Sequence, residues 1–219
     1  HGGIGSVDAP EAASPVTPEE TDDTDNKESL GSSPAASLPT PGEPDAPESK
    51  AGSELSEYVA FSGQLIPIGE ASSRQVTKAI VDIVAAEGPI SGVRLHRAYV
   101  IAAGGQRVGR VIASELNKAI AAALRVGSIV DDNPLHVQGY QSRAFRLPDQ
   151  PTVRLRAPGP RELDEIPVRE LAAVLELAAI EAGWDDSDAL FREALRLLGW
   201  KRLTTNVRTA LGQAEKIAR

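Results

Sequence analysis

The segment from Gly104 to Arg110 (GGQRVGR) has glycines at the spacing of a phosphate-binding loop. Such a loop needs a Lys followed by Ser or Thr to reach the phosphates and the magnesium ion, and Arg110 followed by Val111 stands at that point. The segment is therefore better explained as a turn that connects two helices. We expect no nucleotide cofactor here.

Other polar groupings also fall short of a metal site or a catalytic centre. Asp185 to Asp188 lacks the remaining ligands of a calcium loop, and capping of the next helix explains it better. His96 and His136 have no second His or Cys at ligand spacing, and the chain contains no Cys. No motif pairs a Ser or Thr nucleophile with a base. The sequence predicts no catalytic residue, no metal and no cofactor, and we expect no enzyme activity in this chain.

Charge divides the chain into two unlike parts. The net charge is −8, but residues 1–60 carry 13 Asp or Glu against two Lys, which leaves residues 61–219 at +3. Residues 1–56 are rich in Pro, Ser, Thr, Glu and Asp, so they are predicted to be a disordered acidic linker or tail. A linker is favoured over a tail that competes with nucleic acid for a basic surface.

Residues 71–156 are predicted to form a winged-helix unit, after an extended lead-in segment over residues 57–70. Apolar residues recur at helical intervals, with Ser at the starts and Gly at the ends, and the period then changes to that of strands. Three helices followed by a hairpin are typical of this unit. The helices are predicted over residues 72–87, 91–103 and 108–126, and the strands over 128–131 and 143–147, with a wing loop over 132–142 between them.

Residues 157–219 are predicted to repeat the helical part of the first unit. A shift of 95 residues aligns the two stretches without a gap, so that Gly88 meets Gly183 and Gly104 meets Gly199. The second copy should have helices over residues 168–182, 187–198 and 204–218, and no wing. The predicted fold class is therefore mainly α: a winged-helix unit with a small β-hairpin wing, a three-helix copy without a wing, and a disordered N-terminal tail.

Four stretches of the chain resemble a family. They are Ile83 to Ile90 (IVAAEGPI), Val108 to Val130, Val153 to Glu170 (VRLRAPGPRELDEIPVRE) and Glu193 to Leu203 (EALRLLGWKRL). Their order resembles a domain of unknown function at the C-terminus of large bacterial superfamily I DNA and RNA helicases, often beside a restriction-endonuclease-like domain. The resemblance implies an accessory role in a longer helicase or nuclease, of which this chain would be a fragment.

Basic residues point to the first unit as a nucleic-acid surface. Residues 71–156 carry 12 Lys or Arg against 6 Asp or Glu, concentrated in the turn, the third helix and the wing. A winged helix meets DNA with these parts, so DNA is the expected partner, RNA is the alternative, and binding should depend on salt. The candidate contact residues are Arg107, Arg110, Ser114, Asn117, Lys118, Arg125, Arg143 and Arg146.

The alternative hypothesis is a protein-docking module that positions the motor or nuclease domains of the parent protein. Residues 157–219 carry 9 basic and 11 acidic residues, a balance that favours partner contact in the second copy. Trp184, Trp200, Lys201 and Arg202 are the candidate contacts, although core packing is expected for at least one Trp. No apolar run has membrane-spanning length and no signal peptide is visible, so we expect a cytoplasmic protein without a membrane partner or small-molecule substrate.

Overall fold

The computed structural model describes residues 55–219. This part of the chain is mainly helical and contains one small antiparallel sheet. In chain order its elements are α1 (Ser73–Glu87), β1 (Ile90–Ser91), α2 (Gly92–Ala102), α3 (Arg110–Arg125), β2 (Val130–Asp132), β3 (Ala144–Arg146), a 3-10 helix (Leu163–Glu165), α4 (Val168–Ala182), α5 (Ser187–Leu197) and α6 (Thr205–Ala218).

The first three helices enclose one apolar core. Helix α1 packs on α2 and α3, and Ile80, Leu95 and Leu116 contribute fully buried side chains from the three helices. Ser72 begins α1 with a capping box, and Ser91 caps α2 by accepting from the backbone N–H of Arg94. The apolar residues that recur at helical spacing in the sequence therefore mark the helix faces that pack together.

Helix α3 is shorter than the prediction of residues 108–126. Gly109 is extended and forms the N-cap, so Val108 lies outside the helix. At the other end, the backbone N–H of Ser128 donates to Ala123 at 3.0 Å, which completes the helix cap. The first predicted strand therefore begins at Val130 and not at residue 128.

The sheet has three strands in the order β1-β3-β2, all antiparallel. Phe145 at the centre of β3 lies opposite Ile90 on one side and Asp131 on the other, and its side chain is fully buried. The second predicted strand is also shorter than residues 143–147, because Leu147 closes a turn with Gln150. Strand β1 was not predicted, because two residues are too few to show the alternation of apolar and polar residues that indicates a strand.

The three C-terminal helices surround a second apolar core. Helix α4 packs on α5 and α6, with fully buried Leu175, Leu190 and Leu211 between them. Each helix starts 95 residues after its counterpart: α4 at 168 against 73, α5 at 187 against 92, and α6 at 205 against 110. Helix α5 ends at Leu197, one residue before its predicted end. Helix α6 begins one residue after its predicted start, because Thr204 is its N-cap.

The described residues that precede α1 contact both cores. Phe61, Leu65 and Ile68 pack against the first core, and Leu55 is buried in the second. Ser56 pairs with Arg156 in an isolated parallel bridge. The last two residues of the predicted tail over 1–56 therefore belong to the folded part, and the rest of that tail lies outside the described residues.

Candidate functional site

The outer face of α3 brings together most of the residues predicted to contact nucleic acid. Arg110, Ser114, Lys118 and Arg125 are all exposed and lie on one side of the helix, while its buried residues lie on the other. Arg107 is exposed in the turn that precedes α3. We call these five residues the α3 basic face.

The cations of the α3 basic face are largely free to bind an external anion. Among the described residues, Arg107, Arg110 and Arg125 have neither a carboxylate partner nor a side-chain hydrogen bond. Lys118 pairs with Glu115 at 2.7 Å, and both side chains are exposed. An exposed pair of this kind contributes little energy and exchanges easily for another partner.

The start of α3 differs from most other helix starts in the described residues. Side chains of Ser72, Ser91, Asp186 and Thr204 cap α1, α2, α5 and α6, whereas Gly109 offers no side chain to α3. The first turn of α3 also contains no acidic residue, as in α1, α2 and α6. The first backbone N–H groups of a helix carry partial positive charge. At α3 this charge adds to that of the neighbouring arginines.

Asn117 does not join the α3 basic face. The residue is half-buried, and its side-chain oxygen is buried without a hydrogen-bond partner among the described residues. The amide lies beside His96 of α2, so Asn117 is less accessible than the other candidate residues of α3, and its contact with nucleic acid stays a prediction. His96 is itself buried, and neither ring nitrogen has a hydrogen-bond partner among the described residues.

We expect the stability of the protein to fall on acidification because of His96. Burial lowers the pKa of His96, and the nearby Asn117 amide opposes this shift only in part. The unfolded chain binds a proton at His96 more readily than the folded chain does, so neutral His96 favours the folded state above the unfolded pKa of about 6.5. As the pH falls below this value, the free energy of unfolding decreases by no more than about 1.4 kcal/mol per pH unit.

Urea unfolding of the wild type and of His96→Leu at pH 7.5 and pH 5.5 measures this contribution. The loss of stability between the two pH values should be smaller in the variant, because carboxylates contribute equally to both proteins. If the wild type and the variant lost the same stability, burial would not have lowered the pKa of His96.

Arg143 and Arg146 of the predicted wing are engaged within the protein. Arg143 pairs with Asp131 at 2.8 Å and stacks over the ring of Tyr140. Arg146 donates to the backbone carbonyls of Leu147, Pro148 and Gln150. These two arginines therefore hold the hairpin and the turn after it, and they offer less charge to a ligand than α3 does.

The four residues predicted to contact a partner protein divide into two pairs. Trp184 and Trp200 are partly buried and pack against the second core, and Arg219 stacks over the Trp184 ring. Lys201 and Arg202 are exposed in the segment between α5 and α6. Part of the apolar surface of each tryptophan is therefore in contact with the second core.

A buried ionic cluster lies where the lead-in segment meets the two copies, and the sequence analysis did not predict it. It contains two carboxylates, three guanidinium groups and one phenol. We call it the junction cluster, and its members are Tyr58, Glu87, Arg94, Arg156, Arg161 and Glu170, all of which are buried.

Glu170 of α4 is the acceptor that binds two arginines of the junction cluster. Its carboxylate lies 2.8 Å from Arg156 and 2.9 Å from Arg161. Arg156 also donates to the backbone carbonyls of Glu87 and Pro89, at 2.6 and 2.7 Å. One guanidinium group therefore joins the end of α1 to the start of α4, and so joins the first copy to the second.

Tyr58 fills the space between the cations of the junction cluster. Its ring centre lies 4.0 Å from the guanidinium carbon of Arg161 and 5.0 Å from that of Arg156. Its hydroxyl donates to Glu87, which also accepts two hydrogen bonds from Arg94, at 2.8 and 3.0 Å. Burial, followed by the contact with Glu87, raises the pKa of Tyr58 well above its usual range, so the phenol stays protonated.

One sequence signal does coincide with the junction cluster. Arg156, Arg161 and Glu170 fall in the stretch Val153 to Glu170, and Glu87 falls in Ile83 to Ile90. Both stretches contribute to the family resemblance. The second copy has no equivalent of this cluster, because the shift of 95 residues places Ala182 and Ala189 at the positions of Glu87 and Arg94.

The chain matches no family model, no curated protein and no solved structure at a significant level. Within residues 55–219, no helix is both long and apolar enough to cross a membrane. The same residues contain no group of three or more His, Cys, Asp or Glu side chains that could hold a metal ion.

Proposed function

We propose that this chain is an accessory nucleic-acid-binding module of the winged-helix class, and that it binds duplex DNA through the α3 basic face. Three helices followed by an antiparallel hairpin support that class. The resemblance to a C-terminal domain of bacterial helicases supports an accessory role beside a motor or nuclease domain of a longer protein. The chemistry of strand separation or cleavage would then belong to those other domains.

The observation that carries the proposal is a set of three arginines, two at the start of α3 and one at its end, that have no carboxylate partner among the described residues. Arg97, Arg143 and Arg169, which are also partly exposed, each pair with a carboxylate within the protein. Arg107, Arg110 and Arg125 have no such partner among residues 55–219. Unpaired guanidinium groups on an exposed helix suit phosphates, which they bind in a bidentate manner.

The second copy carries less of this positive charge, and the difference supports unlike roles for the two copies. The shift of 95 residues places Thr205 at the position of Arg110 and Gln213 at that of Lys118, so α6 lacks both charges, whereas Arg202 keeps the position of Arg107. Arg208 of α6 pairs with Asp188. The second copy therefore offers little to a phosphate backbone, and its role would be to pack against the first copy or to contact other domains.

Titration of a labelled mixed-sequence DNA duplex with the whole chain, followed by fluorescence anisotropy at two salt concentrations, tests the proposal. The double variant Arg107→Ala and Arg110→Ala should bind about tenfold more weakly or worse, and the slope of log K against log salt should fall by about two. Lys201→Ala with Arg202→Ala removes two exposed cations from the second copy and is the matched control.

The control variant should bind the duplex as the wild type does. Equal losses in the two double variants would show that net charge, and not the α3 basic face, determines binding. Absence of binding, or binding that does not depend on salt, would contradict the proposal and leave protein docking as the better interpretation of this chain.

A further inference from the structure

Val111 is an apolar side chain in the middle of a cationic surface. It occupies the first turn of α3 and is 74% exposed. It lies between Arg110 in the chain and Ser114 one turn further along, and Lys118 continues the same row at i+7. No element of the described residues covers it, so its two methyl groups face the same space as the unpaired cations.

Duplex DNA presents a small apolar group beside dense negative charge. The major groove of DNA does so, because thymine carries a C5-methyl group at the groove edge between two phosphate backbones. A recognition helix enters this groove with its N-terminal residues closest to the base edges. In such a pose, Arg110 would reach a phosphate or a guanine edge while Val111 faced the bases.

We propose that Val111 contacts the C5-methyl group of a pyrimidine in the major groove, so that the module prefers duplexes that carry this methyl group. This inference rests on the proposed function and names the chemical group that α3 recognises. RNA is disfavoured on two grounds: its A-form major groove is too narrow for a helix, and uracil lacks the methyl group. A base with a C5-methyl group, whether thymine or 5-methylcytosine, fits the contact.

Comparison with the other exposed apolar residues singles out the position of Val111. Val59 and Ile180 are similarly exposed, but their charged neighbours in sequence are acidic, Glu57 and Glu181. Val126 is 71% exposed beside Arg125, but it follows the last residue of α3, whereas Val111 lies in the first turn, the part of a recognition helix nearest the base edges. On α6 the position that corresponds to Val111 is Asn206. The combination of an exposed apolar side chain with unpaired cations therefore belongs to the first copy.

The experiment compares alternating duplexes that differ only in this methyl group, because an alternating sequence presents the group in every binding register. Binding of the whole chain is measured by anisotropy to d(AT)n and d(AU)n, and to d(CG)n with cytosine or with 5-methylcytosine. Wild type should bind the methylated member of each pair about fourfold more tightly, the ratio expected for burial of one methyl group.

Two variants assign the preference to a residue. Val111→Ala should bind the methylated and unmethylated members almost equally, and alanine suits a helix, so the fold should be retained. Val126→Ala removes an equally exposed valine, 71% accessible, from the other end of α3 and should keep the wild-type ratio.

The methyl contact can fail while the proposed function holds. Salt-dependent binding with equal affinity for both members of each pair would overturn the methyl contact and leave DNA binding intact. A preference that persists in Val111→Ala would show that another residue or the shape of the duplex is responsible. Absence of binding to all four duplexes would overturn both proposals.

Discussion

The variant Glu170→Gln is expected to lower the free energy of unfolding by about 3–5 kcal/mol, because it leaves two buried guanidinium groups without a counter-charge. The side chains of Arg156 and Arg161 are only 3% and 1% exposed, so water cannot replace the missing carboxylate. A domain is typically stable by about 5–15 kcal/mol, and a loss of this size is therefore a large share of the total.

Urea unfolding of the whole chain at pH 7.5 measures the loss, with Glu176→Gln as the matched control. Glu176 lies on the same helix and is exposed, so its variant should change the unfolding free energy by less than about 0.5 kcal/mol. If Glu170→Gln unfolds within about 1 kcal/mol of wild type, the junction cluster does not join the two copies as its geometry indicates.

The variant Gly92→Ala is expected to destabilise the protein by about 2–3 kcal/mol, near the upper end of overpacking effects. A Cβ atom at position 92 would lie 2.1 Å from the carbonyl oxygen of Tyr140 and 2.9 Å from the Cα of Gln141. Both are backbone atoms, so no rotamer change relieves the clash. The loop between β2 and β3 would have to move away from α2.

Hydrogen exchange reports this movement directly. The backbone N–H of Val93 donates to Gln141 at 3.0 Å, and that of Gly92 donates to Arg143 at 2.9 Å. Exchange at Val93 should accelerate in Gly92→Ala, in addition to the loss of stability seen in urea.

The matched control for Gly92→Ala is Gly212→Ala in α6. A Cβ atom at Gly212 meets no atom within 4 Å, so alanine should stabilise the helix by about 0.5–1 kcal/mol. Opposite signs for the two Gly to Ala changes are therefore expected. A neutral Gly92→Ala with unchanged exchange at Val93 would contradict the close approach of the loop to α2.

The elements of the fold were largely predictable because local rules determine them. The 3.6-residue period and the capping serines located α1 and α2, and Val168–Ala182 was predicted with both limits correct. The basic face of α3 followed from the same period. Strand β1 was missed because its two residues are held by pairing with β3, which is distant in the chain.

The residues of the candidate site were only partly predictable for the same reason. Periodicity places a side chain on a face, but the exposure of a residue at the edge of that face depends on its neighbours in space, as with Asn117 beside His96. Arg143 and Arg107 have the same charge in the sequence, yet Asp131 on the neighbouring strand pairs with the first and nothing described pairs with the second.

The sequence by itself therefore determined the helices, their repetition after 95 residues and the basic character of one outer face, since each depends on residues a few positions apart. Only the tertiary structure decided which cations remain free and which are buried. Glu87 and Arg156 lie 69 residues apart, and Glu170 is brought to the same point by a separate helix. Contacts of this range depend on how the two copies pack, and so the junction cluster could be found only in the tertiary structure. The cations of α3 that lack a partner among the described residues likewise became known only when their neighbours in space were known.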